Sequence, residues 1–84
     1  MMTKIDLIKE FEIEVSKIKE ECLKRLKSET VIKVIDKFQK EVAESFTQKI
    51  NYSIFNNIEH RENLLKELND IMIKHATDFK LKVQ

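Results

Sequence analysis

The sequence predicts an all-α fold, an antiparallel three-helix bundle, on three observations. The 84 residues contain no Gly and no Pro, so tight hairpin turns lack the residues they usually need. Apolar residues recur at spacings of three and four, the period of a helix and not of a strand. Helix-start signals divide the chain into three segments of nearly equal length with short connections, which suits up-down-up packing. We therefore read residues 1–84 as a single helical domain.

The first segment runs from about Thr3 to Lys27. Its apolar stripe is Ile8, Phe11, Val15, Ile18, Cys22 and Leu26. Thr3 with Asp6 three residues on has the form of a capping box, in which each side chain meets the other residue's backbone N–H. Ser28-Glu29-Thr30 then marks a break, with Ser28 or Thr30 as the next N-cap.

The second segment starts near Val31, and its stripe is Val31, Ile35, Phe38, Val42, Phe46, Ile50, Ile54 and Ile58. After Phe38 every step is four residues, and each such step advances about 40° around the helix. A straight helix cannot hold Phe38 and Ile58 on one core. The poor helix formers of Asn51–Asn57 supply a place to break, with Asn56 and Glu59 as N-cap and capping box. The third segment then runs from about Asn57 to Lys82. Its stripe is Leu65, Leu68, Met72, Ala76, Phe79 and Val83, with Leu64, Ile71 and His75 at the edge. The alternative is one continuous helix from about Val31 to Lys82, roughly 78 Å long, assembled with a second chain into an intermolecular bundle.

Composition removes whole classes of function. Without Gly there is no phosphate-cradling loop, dinucleotide fingerprint or nucleophile elbow. One Cys excludes an internal disulfide framework and multi-Cys zinc sites. His60 and His75 lie outside any local metal motif, since Asn57 and Met72 occupy the positions three residues before them. His75, at the edge of its stripe, is the better candidate for a proton switch. Glu10, Glu12 and Glu14 point in different directions around a helix and do not converge. Cys22 reads as a small core residue. No enzyme, cofactor or metal is expected. Charged residues make up 37% of the chain, and no apolar stretch is long enough to span a bilayer. The first residues contain no apolar signal-peptide core, so a cytoplasmic location is expected.

Charge is more informative than chemistry. The net charge is only +1, yet it is unevenly spread. Residues 17–40 and 71–84 are net basic, while 1–16 and 41–70 are net acidic. In an up-down-up bundle the basic blocks meet at one pole. Lys24, Arg25 and Lys27 complement a helix C-terminus. Lys33, Lys37 and Lys40 share one face early in a helix, where the dipole disfavours cations. These six form the candidate anion-binding set.

Apolar residues also lie off the stripes: Leu7, Ile13, Val34, Tyr52, Phe55, Ile73 and Leu81. So many on a small chain suggest a partner surface or a homodimer. The leading expectation is a small interaction module (an inhibitor, adaptor or assembly subunit) that docks a helical face onto a larger protein through Ile13, Tyr52, Phe55 and Ile73. The alternative is a dimeric nucleic-acid-binding protein using the lysine-rich face. Against it stand the near-neutral charge and only two Arg, Arg25 and Arg61. A structural self-assembly role needs the continuous helix. A membrane-surface role is disfavoured because Glu and Lys are mixed on the polar faces.

Overall fold

The computed structural model describes residues 2–84. Three helices follow one another: α1 over Lys4–Arg25, α2 over Val31–Phe55 and α3 over Arg61–Val83. They pack as a three-helix bundle 42 Å long and 18 by 16 Å across. The first two helix starts form as their residues dictate. Thr3 Oγ1 accepts from the Asp6 N–H at 3.2 Å, and Asp6 Oδ2 accepts from the Thr3 N–H at 2.9 Å. Thr30 caps α2 through the Lys33 N–H at 3.4 Å.

The chain breaks after Phe55, so the continuous-helix alternative is incorrect. The break is built differently from the expected capping box. Asn56 closes α2 and does not open α3. Asn57 takes the left-handed conformation at φ 49°. The Ile58 N–H then reaches the Ser53 carbonyl at 3.0 Å, and the Asn57 N–H reaches the Ile54 carbonyl at 3.3 Å. This is the Schellman arrangement, with Asn where Gly is usual. The third helix starts at Arg61, four residues after the expected point, with His60 as a left-handed N-cap that makes no side-chain cap bond.

The core is Leu7, Phe11, Val15 and Cys22 of α1, Val34, Phe38 and Val42 of α2, and Leu64, Leu68 and Phe79 of α3. Phe38 stacks on Phe79 at 4.3 Å, and Phe46 meets Phe11 edge-on at 6.1 Å. Burying each such side chain stabilises the fold by about 1.5–3 kcal/mol.

Several stripe assignments need correction. Leu7 and Val34, read as off-stripe, are fully buried, whereas Val31, Ile54 and Leu65 are exposed. The buried face of α2 is Val34, Phe38, Val42, Ser45, Lys49 and Ser53. Its steps of 4, 4, 3, 4 and 4 residues keep one side of a helix facing its neighbours. The apolar stripe rotates away from that side towards the C-terminus. Geometry therefore buries Ser45, Lys49 and Ser53 and exposes Ile54.

Candidate functional site

The three seams of the bundle differ in chemistry. Between α1 and α2, the buried Lys49 Nζ lies 2.7 Å from Glu14 Oε2 and 3.5 Å from Glu10 Oε1. Ser45 Oγ donates to Glu14 Oε1 at 2.8 Å. Burial raises the Glu14 carboxyl, but the bonds from Lys49 and Ser45 outweigh that and hold it below its ordinary value of 4.5.

Between α1 and α3, Lys19 Nζ donates to Asp78 Oδ2 at 2.8 Å and lies 2.9 Å from His75 Nδ1. A lysine can only donate, so this contact makes Nδ1 the acceptor. His75 Nε2 then faces Glu12 Oε1 at 3.1 Å, off line for a hydrogen bond, and is left without a partner. Lys74 reaches the same Glu12 oxygen at 3.4 Å. Burial raises Glu12, yet His75 and Lys74 carry it below its ordinary value. Lys19 and Lys82 lower Asp78.

Between α2 and α3 no side-chain hydrogen bond or ion pair forms among the described residues. These two helices touch each other less than either touches α1. Their seam opens to solvent as a largely apolar groove of about 250 Å³, lined by Phe38, Val42, Ala43, Met72, Ile73 and Ala76 with Gln39 as its polar member. A second cleft of about 380 Å³ lies nearer the other pole, between Ile50, Ser53 and Ile54 of α2 and Arg61 and Leu65 of α3.

The four expected anchors do not form one surface. Ile73 lines the groove and is 57% exposed. Ile13 is equally exposed but stands on the outward face of α1, one turn from Lys9 and Lys17. Phe55, 86% exposed, ends α2. Tyr52 is half-buried, and its hydroxyl accepts from the Met2 N–H at 3.3 Å, tying the start of the chain to the last turn of α2. Ile54 and Leu65 line the second cleft. Their places on helical stripes predict burial, yet both are exposed.

The basic residues do gather at one pole. Lys24 and Arg25 end α1, Lys27 lies in the connection, and Lys33, Lys37 and Lys40 occupy the first half of α2. Part of this charge is neutralised locally, Arg25 by Glu29 at 3.5 Å and Lys40 by Asp36 at 3.3 Å. Cys22 is buried in the core, and burial together with Glu41 raises its thiol, so little nucleophilic thiolate forms at neutral pH.

Among the described residues, no three His, Cys, Asp or Glu side chains converge to hold a metal ion, and no helix is long and apolar enough to cross a membrane. No family model matches the chain, and neither a curated protein nor a solved structure matches it.

Proposed function

We propose that this protein is a small interaction module that receives an apolar helical face of a larger protein in the groove between α2 and α3. The observation that carries the reading is the contrast among the seams. Two are closed by charged and hydrogen-bonded side chains. The third is crossed by no side-chain hydrogen bond or ion pair among the described residues and exposes Ile54, Leu65 and Ile73. Single exposed apolar residues are ordinary, but a largely apolar groove between two helices is the form of surface that recognises another helix.

The test is a pull-down with the tagged full chain, run with nuclease and at two salt concentrations. The wild type and Ile13→Asp should retain the same discrete protein at both salts, and Ile73→Asp should lose it. Recovery of nucleic acid alone, lost at high salt, would overturn this reading in favour of the face formed by Lys33, Lys37 and Lys40, because binding through phosphates weakens steeply with salt.

A further inference from the structure

Among the described residues, His75 Nε2 is the one buried side-chain nitrogen or oxygen without a hydrogen-bond partner. His75 is 5% exposed, and its ring sits between two residues of α1. On one edge, Lys19 Nζ lies 2.9 Å from Nδ1 and also donates to Asp78 Oδ2 at 2.8 Å. On the other, Glu12 Oε1 lies 3.1 Å from Nε2 and is shared with Lys74 at 3.4 Å. Asp78 is shared in turn with Lys82 at 3.1 Å. The charged groups around the ring are thus Glu12 and Lys19 from α1, and Lys74, Asp78 and Lys82 from α3. Helix α2 contributes no hydrogen bond or ion pair to this cluster among the described residues.

The arrangement fits one protonation state. An ammonium only donates, so Nδ1 must be bare, and the single proton of the neutral ring is on Nε2. A second proton, on Nδ1, sets two cationic donors against each other at 2.9 Å. Lys19 must then leave Nδ1, and Asp78 is already in place to hold it. The charged ring keeps its Nε2–H towards Glu12, now as half of an ion pair.

We infer that His75 is a proton-operated switch on the seam between α1 and α3: neutral, it is held by Lys19, and protonated, it releases Lys19 and pairs with Glu12. Those two residues lie about 10 Å apart along α1, so the proton moves the point at which α1 grips the ring by two turns. The Glu12 and Asp78 carboxyls are held below their ordinary values. Both therefore stay charged across the range, about pH 5 to 8, in which histidine side chains in general change charge. The inference does not depend on what the groove between α2 and α3 receives.

Nitrogen-15 NMR of the full chain, followed from about pH 8 down to about pH 5, tests it. At neutral pH His75 should be the Nε2–H tautomer, and the Lys19 ammonium protons should be protected from exchange with water. As the ring takes up a proton, Lys19 should lose that protection and the Nε2 proton should gain it, at one shared midpoint. Glu12→Ala should abolish the gain at Nε2. His60→Asn removes the other, exposed histidine and should leave the whole response intact. An Nδ1–H tautomer at neutral pH, a Lys19 whose protection survives protonation of the ring, or a response lost in His60→Asn would overturn the proposal. So would a ring that titrates only as the helical circular dichroism disappears, because the switch operates within the folded protein. A gain at Nε2 that persists in Glu12→Ala would overturn the pairing with Glu12.

Discussion

The two halves of α2 solve the same packing problem with opposite materials. From Val34 to Val42 the side facing the bundle is apolar, and its residues join the stacked Phe38–Phe79 pair in the core. From Ser45 to Ser53 that side is polar, and Lys49, 4% exposed, is matched by Glu14 and Glu10. Meanwhile Phe46 and Ile50 are displaced to the flank and Ile54 to the surface. A helix has one inward side, set by its neighbours. Where the apolar stripe drifts off that side, something else must fill it, and the displaced apolar residues become surface.

The largest effect should come from breaking the first half. Phe38→Ala removes a buried ring and its stack, and should cost about 3–5 kcal/mol, read as a lower urea midpoint. For a domain this small, that is a large share of the total stability.

The second half gives a sharper contrast. Glu14→Ala leaves Lys49 buried with only the 3.5 Å contact to Glu10 and should cost about 1–3 kcal/mol. The double variant Glu14→Leu/Lys49→Met replaces both charges with apolar chains of similar length and should be close to neutral in the same urea titration, since replacing a whole buried pair with hydrophobes often is. A large loss from the double variant would mean that the ion pair itself contributes net stability.

The same pair has a pH signature. The Glu14 carboxyl is depressed in the folded state, so its contribution is fully present above the unfolded value of about 4.5 and is lost as pH falls through the lower folded value. Glu12 and Asp78 act in the same direction. Thermal melts of wild type and Glu14→Gln should therefore differ most at neutral pH and draw together as the pH falls below 4.5. A gap that stays constant down to pH 3 would show that linkage is not its source.

The smallest effect lies where α2 ends. Asn57 holds a left-handed conformation at φ 49°, which costs less for Asn than for most residues and nothing for Gly. Asn57→Gly should stabilise the protein by up to about 1 kcal/mol, a rise in melting temperature of several degrees. A lower melting temperature would mean that the Asn side chain contributes more than its backbone strain costs.

Much of the fold was legible in the sequence because local signals set it. The Thr3–Asp6 capping box, the break at Ser28–Thr30 and the start of α2 at Val31 all depend on neighbours within a turn. The second break was legible as a weak run but not in its form, since His60 as a left-handed cap follows no propensity. The site was less legible. Ile73 was recognisable as an apolar residue off its stripe, and the basic pole followed from charge counts and topology. Ile54 and Leu65 were not recognisable, because a residue on a helical stripe looks buried until the neighbouring helix is in place.

The sequence by itself determined three amphipathic helices and the sign of charge at each end, because helix period, capping and helix dipoles act over a few residues. Tertiary structure decided which part of each stripe became core. Packing around α1 set the inward side of α2, and that choice buried Lys49 beside Glu14 while it left the seam between α2 and α3 open.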